Sequence, residues 1–270
     1  MLFHSEKNIF PSGADSACIL AAIEHAERLA AELILHARSI LAETKSGRRD
    51  VVTEYDRRVQ ALLMEQLQHA VPEAGFFCEE MDTRAKPDEP KIFIIDPIDG
   101  TMNFVHGFHY SCISVAYAEH GEVLAGAVYN PYFDEMFTAV RGQGACLNGK
   151  PIHVARGGLS ENIACFGTAP YNADLADKSF TLARRVFDAA LDIRREGSAA
   201  LDLCAVASGR AGLYFEMQVA LWDYAAGALL VREAGGICSA ADGSPFPSDG
   251  SKTSIVAGAP DAVREFYTFI

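Results

Sequence analysis

The hydrophobic period of this chain changes at Pro72, and the change restricts the folds open to it. From Asp15 to Thr44 apolar residues fall at Ile19, Ile23, Ala26, Ala30, Leu33, Ile34, Ala37 and Leu41, the three-to-four spacing of one long amphipathic helix. A second helix is expected from about Thr53, with Val59, Leu62, Leu63 and Leu67 on one face, before Pro72 stops it. Beyond Pro72 the apolar runs shorten to strand length. Phe76–Cys78 and Ile92–Ile95 read as buried strands, Cys112–Tyr129 as a hairpin turning at His120 and Gly121, and Met136–Val140 as another strand, with more past Gly144. The glycines of RGQGACLNG, which mimic part of a dinucleotide motif, have no helix after them and read as turns. After Pro151 single strands and helices alternate: Ile163–Gly167, a helix near Leu175–Ala190, Asp192–Arg194, a helix opening at Ser198, Gly212–Met217, a helix over Asp223–Ala234, and Ser254–Ala257. The class is therefore α/β in the broad sense, a mixed α+β half over 1–150 followed by an α/β half over 151–270.

At 270 residues, half of them apolar, the chain can bury one large core or two modest ones. Lys and Arg number 23 against 36 Asp and Glu, a net charge of −13, so a nucleic-acid backbone or an anionic membrane is repelled on average. Small solutes or cations are the expected partners. The seven cysteines, Cys18, Cys78, Cys112, Cys146, Cys165, Cys204 and Cys238, form no CxxC pair, which speaks against a disulfide framework or a zinc cluster and for a reducing cytoplasm. The opening MLFHSEKNIFPSG lacks the apolar core of a secretion signal, and no window holds 18 uninterrupted apolar residues. A soluble, cytoplasmic protein is the expectation.

The stretch KIFIIDPIDGTMNFVHG, Lys91–Gly107, carries the chemistry. A buried strand runs into Asp96, and Asp99 follows after a turn that Pro97 and Gly100 favour, so two carboxylates crowd one strand end. Mg²⁺ takes oxygen ligands and tolerates one or two carboxylates beside waters and phosphates, and would relieve the repulsion. An acidic turn with Asp99 capping backbone amides is the plainer reading of the same residues. Phosphatases of the haloacid dehalogenase class also place two aspartates before Gly-Thr, but with one residue between them. Here Pro97 and Ile98 both intervene, which turns the second carboxylate away from a leaving-group role. Glu79 and Glu80 follow the strand Phe76–Cys78, and Asp223 follows Trp222 at a helix start. Taken singly, these are a solvated loop and a helix cap. Thr53 and Asp56, a T-x-x-D pair, likewise form a capping box.

Together, DVVTEYD (Asp50–Asp56), EE (Glu79, Glu80), DPIDGTMNF (Asp96–Phe104), GSAALDL (Gly197–Leu203) and WDYAAGALLVREAGG (Trp222–Gly236) resemble the motifs of the inositol monophosphatase family of Mg²⁺-dependent, lithium-sensitive phosphatases, in order and from about Ala14 onward. The resemblance implies a layered αβαβα sandwich of the inositol monophosphatase and fructose-1,6-bisphosphatase type, a homodimer, and two to three Mg²⁺ ions per subunit at the junction of the two halves. It implies that Glu79, Asp96 and the Ile98 carbonyl hold a first ion, that Asp96, Asp99 and Asp223 hold a second, and that a third lies near Glu79 through waters. Most of these ligands fall in the first half, and the second contributes Asp223. The implied reaction is in-line attack on phosphorus by a metal-activated water, with Thr101, oriented by Asp56, accepting its proton. The amides of Gly100 and Thr101 would cradle the phosphate, and Lys45 matches the family's mobile-loop lysine.

For substrate, Glu216 and the segment Gly197, Ser198 and Ala199, with Asp99 and Asp223, match positions that bind the hydroxyls of inositol in the family. A small phosphorylated polyol or sugar follows, most directly inositol 1-phosphate; fructose 1,6-bisphosphate, histidinol phosphate and 3′-phosphonucleotides are the alternatives. A regulatory binding protein on the same fold is the alternative of another class, although the ligand set is intact. Arg194 and Arg195 could contact a second anionic group, but a strand-end pair of arginines more often forms a dimer or surface ion pair. Departures from the family pattern are Cys78 for a usual Gly, Met102 for a common Thr and His109 for a common Pro; none removes an implied ligand. Cys78 beside Glu79 raises the possibility of oxidative inhibition, and His106 with His109 is a poor metal pair among hard carboxylates.

Overall fold

The computed structural model describes residues 13–47, 50–81 and 85–270, so the N-terminal stretch read for a secretion signal lies outside the described residues. Helix α1 (Gly13–Leu35) and helix α2 (Glu54–Ala70) bear the two early periodic faces. Ile23, Ala26, Ala30, Ile34, Val59, Leu63 and Leu67 are all buried in one cluster. The predicted single helix to Thr44 is shorter in the structure. It ends at Leu35, and a ribbon of β1 (Ala42–Gly47) and β2 (Asp50–Thr53) takes over, paired Ala42↔Thr53 and Thr44↔Val51. Tyr55 stops the helix: its hydroxyl accepts from the Arg38 N–H at 2.9 Å and donates to the Arg38 carbonyl at 3.0 Å, taking backbone groups a helix would use internally. Leu41, on the predicted apolar face, is 78 % exposed.

A seven-stranded sheet lies under α1 and α2. Its order is β3 (Gly75–Cys78), β4 (Ile92–Asp99), β5 (Cys112–Glu119), β6 (Glu122–Asn130), β7 (Glu135–Val140), β8 (Ala145–Leu147) and β9 (Lys150–Ile152). Only β3 and β4 run parallel. The β5–β6 hairpin turns at His120 and Gly121, whose φ values of 49° and 80° suit the tight turn that matches strand twist. Along β4 and β5 the side chains alternate. Phe93, Ile95, Val115 and Tyr117 face α1 and α2, while Ile92, Ile94, Ala116 and Ala118 face inward to the next layer.

That layer is α5 (Ala199–Ala207) and α6 (Leu221–Glu233). Ala225, Ala226 and Ala228 of α6 meet the small residues of the first sheet, which lets helix and sheet approach closely. On its other side lies a five-stranded sheet in the order β11 (Asp192–Arg194), β10 (Ile163–Phe166), β12 (Leu213–Val219), β14 (Thr253–Gly258), β13 (Ile237–Ser239). β11, β10 and β12 are parallel, and β14 is antiparallel to both its neighbours. Helices α4 (Ala176–Ala189) and α7 (Pro260–Phe266) close the outer face over Phe215 and Val256. The result is the expected αβαβα sandwich, with three apolar clusters filling the gaps between layers. At about 1.5–3 kcal/mol per buried large apolar side chain, these clusters supply the main folding drive. Among the described residues no helix is long and apolar enough to cross a membrane.

Candidate active site

On a regular strand two residues three apart face opposite ways. Strand β4 escapes that rule, because its register to β5 runs Asp96↔Ser114 and then Asp99↔Cys112, three steps against two. The bulge returns Asp99 to the face that holds Asp96, and Pro97, with no N–H for the ladder, sits inside it. The strand therefore continues to Asp99, where the sequence had suggested a turn after Asp96.

Asp96, Asp99 and Asp223 are each oriented through one oxygen. The Ile98 N–H donates to Asp96 Oδ1 at 3.1 Å. Ser198, the N-cap of α5, donates its hydroxyl to Asp99 Oδ2 at 2.5 Å, and the Ala200 N–H donates to the same oxygen at 2.8 Å. Asp223, in the first turn of α6, accepts the Ala220 N–H at 2.7 Å. Glu79 stands just past β3, where its own N–H continues the pairing to the Ile95 carbonyl, and its Oε1 accepts Lys45 Nζ at 2.9 Å. Lys45 also pairs with Glu80, whose backbone is clasped by the Gln60 amide at 3.0 and 3.1 Å. Burial alone would lower the Lys45 pKa, but Glu79 and Glu80 outweigh it and raise it, keeping the ammonium charged.

Asp56 has two duties at once. Its Oδ2 accepts the Thr53 N–H at 2.8 Å and the Thr53 hydroxyl at 2.5 Å, completing the capping box of α2, while its Oδ1 accepts the Thr101 hydroxyl at 3.2 Å. The same hydroxyl lies 3.1 Å from the Ile98 carbonyl. Helix α3 (Thr101–His106) starts at Gly100, whose φ of +87° and whose distance to its neighbours both call for glycine: a Cβ there would stand 2.9 Å from the Tyr110 carbonyl oxygen. The first-turn amides of α3 have no partner inside the helix.

Burial, and then the charge of neighbouring carboxylates, raises Asp96 and Asp223 well above the usual range. Asp99 rises to about 7 for the same first reason, against the bonds from Ser198 and Ala200 that lower it. A bound cation would compete with protons for such a cluster. Among the described residues no group of three or more His, Cys, Asp or Glu is already arranged to hold a metal ion. The donors themselves suit one, being hard carboxylate oxygens and the Ile98 carbonyl, with Asp96, Asp99 and Asp223 each keyed to protein by one oxygen.

Glu79, Asp96, Ile98, Asp99, Gly100, Thr101, Gly197, Ser198, Ala199, Glu216 and Asp223 all line one cleft. Lys45 and Asp56 stand behind it, bonded to Glu79 and Thr101. Glu216, on β12, accepts the Ala169 N–H at 2.7 Å and the Tyr214 hydroxyl at 2.8 Å, and burial raises its pKa. His109 stacks on Tyr132 at 4.7 Å, and neither it nor His106 lines the cleft. Sequence reasoning passed over Asp202, Ala169, Tyr171, Gln218 and Lys252, which also line it. Asp202 was within reach, since it lies one helical turn past Ser198 inside GSAALDL. Lys252 and Tyr171 come from loops with no local pattern.

The family model described as the inositol monophosphatase family matches residues 15–268. An inositol-1-monophosphatase of Rhizobium meliloti is 41 % identical over 213 residues, covering 78 % of this chain and 79 % of that one. A crystal structure of the extragenic suppressor protein suhB from Bartonella henselae superposes with a TM-score of 0.86 at 32 % identity, covering 93 % of this chain and 97 % of its own. Another, described as an IMPase/NADP phosphatase complexed with Mg²⁺ and phosphate, superposes with a TM-score of 0.79 at 25 % identity, covering 94 % and 93 %.

Proposed function

This chain belongs to the inositol monophosphatase family and is a phosphatase, and we propose that its reaction is the Mg²⁺-dependent hydrolysis of small polyol and sugar monophosphates, with inositol 1-phosphate the leading substrate. The observation that carries this reading is the convergence of Glu79, Asp96, Asp99 and Asp223, up to 144 positions apart in the chain, on one cleft.

Glu79, Asp96 and the Ile98 carbonyl would hold one Mg²⁺, and Asp96, Asp99 and Asp223 a second, with room for a third near Glu79. Bound there, magnesium supplies the positive charge that neutralises the monoester's oxygens and acidifies water. The chain's own residues do the rest. Thr101 can take a proton from the attacking water while its own passes to Asp56 Oδ1. Burial raises the pKa of Asp56, which makes it a better proton acceptor near neutral pH than an exposed carboxylate. The Gly100 and Thr101 amides, at the cleft lining, would cradle the phosphate oxygens. Glu216, fixed by Ala169 and Tyr214, offers acceptors to substrate hydroxyls, together with the segment Gly197, Ser198 and Ala199. A homodimeric, cytoplasmic enzyme is part of the same proposal.

The test is phosphate release from inositol 1-phosphate with and without Mg²⁺, followed by a panel of phosphorylated metabolites compared by kcat/KM. Release that ignores Mg²⁺ would defeat the metal assignment. Millimolar Li⁺ should inhibit by competing at the Asp223 position, and insensitivity would remove that position from the account.

A further inference from the structure

Of the paired acids Glu79 and Glu80, only the first has a place in the reaction proposed above. Both follow β3, yet the fold treats them differently. Glu79 lines the cleft, and Glu80 does not. The Glu80 side chain is 9 % exposed, against 23 % for Glu79. Its backbone is fixed to α2 from both sides, since the Glu80 N–H donates to Gln60 Oε1 at 3.0 Å and Gln60 Nε2 donates to the Glu80 carbonyl at 3.1 Å. Gln60 is itself buried, one helical turn past Asp56. A carboxylate enclosed this far calls for a counter-charge.

Lys45 supplies that charge, and shares it between the two acids. Its Nζ donates to Glu79 Oε1 at 2.9 Å and pairs with Glu80 as well. An ammonium has three N–H donors, so the two bonds coexist. Lys45 stands where the β1–β2 ladder slips, between the pairs Thr44↔Val51 and Gly47↔Asp50, so regular strand pairing does not hold its backbone. Its side chain is tied instead to Glu80, which α2 holds in place. At Glu79 the ammonium meets the carboxylate that the first Mg²⁺ would need. An ammonium and a divalent cation at one carboxylate are close like charges, and burial weakens the screening between them.

We propose that Glu80 is a positioning residue for the metal site: it keeps the Lys45 ammonium at hand to cap Glu79 while no cation is bound, and takes the ammonium when one binds. Lys45 and Glu80 then set the cation affinity at Glu79 in opposite directions. The inference rests on the metal assignment of Glu79 made above. If Glu80 were only one more negative charge near the cleft, its effect would not depend on Lys45.

The experiment titrates the full chain with Mn²⁺, a hard cation that takes the same oxygen ligands, and reads affinity by calorimetry in the absence of substrate. Glu79→Gln identifies the binding step to compare, as the one it removes. Lys45→Met should tighten that step about tenfold by removing a like charge, and Lys45→Arg should leave it near the wild-type value. Glu80→Gln should weaken it about fivefold, because the ammonium is then left to Glu79 alone. In the Lys45→Met background the same substitution should weaken it about twofold or less, since its effect runs through the ammonium. Weaker binding in Lys45→Met, equal tightening in Lys45→Arg, or an equal loss from Glu80→Gln in both backgrounds overturns the proposal alone. A wild-type chain that binds no Mn²⁺, or a Glu79→Gln chain that binds as the wild type does, brings down the metal assignment and the proposal with it.

Discussion

Asp96 and Asp99 of the cleft, Asp56 behind it and Glu27 of α1 are all buried, yet in opposite ways. Asp56 accepts three hydrogen bonds, Asp99 two, and Asp96 and Asp223 one each. Glu27 is wholly enclosed on the core face of α1, near Ile23, Ala30 and Ala31, and neither of its oxygens has a partner. Burial raises the pKa of Glu27 as it does those of Asp56, Asp96, Asp99 and Asp223, so the shift by itself does not mark a functional site. What separates the two regions is whether donors orient the group and whether it faces an opening. An oriented acid beside a cleft is prepared for a cation or a proton, while an unpartnered acid under a helix is only a cost to stability.

Substitutions in the two regions should therefore move different quantities. The largest effect is expected from Asp96→Asn, which should lower kcat by about a thousandfold or more, while leaving the metal-free protein as stable or more so, because one buried like charge is gone. Substantial turnover in that variant would show that the acids do not act together. Next, Asp56→Ala should lower kcat about 10–100-fold through loss of the Thr101 contact, and cost about 1–2 kcal/mol in urea unfolding through loss of the α2 capping box. A change in one quantity without the other would split the two duties assigned to Asp56.

Glu27→Met should do the reverse, leaving kcat in place and adding about 1–3 kcal/mol at pH 8 by removing an unsatisfied buried group. The pH dependence carries a sign. The folded-state pKa of Glu27 lies above its ordinary value of 4.5, from burial first and the Glu24 charge second, against the opposing Arg28. Its neutral form thus contributes stability that is fully present below about pH 4.5 and is lost as pH rises through the folded-state value. Wild-type stability should fall across that rise, and the Glu27→Met profile should be flatter there; parallel profiles would mean that Glu27 finds a partner in solution. The smallest effect concerns Cys78, which is fully buried although it adjoins Glu79. Peroxide sufficient to oxidise the exposed Cys18 should leave phosphate release unchanged, and inhibition abolished by Cys78→Ser would reverse that expectation.

Local pattern determined much of this protein. Three-to-four spacing located α2 and most of α1, short apolar runs located β3 to β7, and the T-x-x-D and Ser198 caps placed the starts of α2 and α5, because each depends on residues within a turn or two. The ordered acidic motifs also singled out the residues that line the cleft. Only tertiary structure decided the rest. Tyr55 ended α1 by bonding Arg38 from 17 positions away, the bulge in β4 turned Asp99 to the side of Asp96, and the fold set Arg195 at the cleft and Arg194 beside Asp192 although they are neighbours in the chain. In each case the deciding partner stands on another element, brought near by burial of apolar surface that a local window of sequence does not contain.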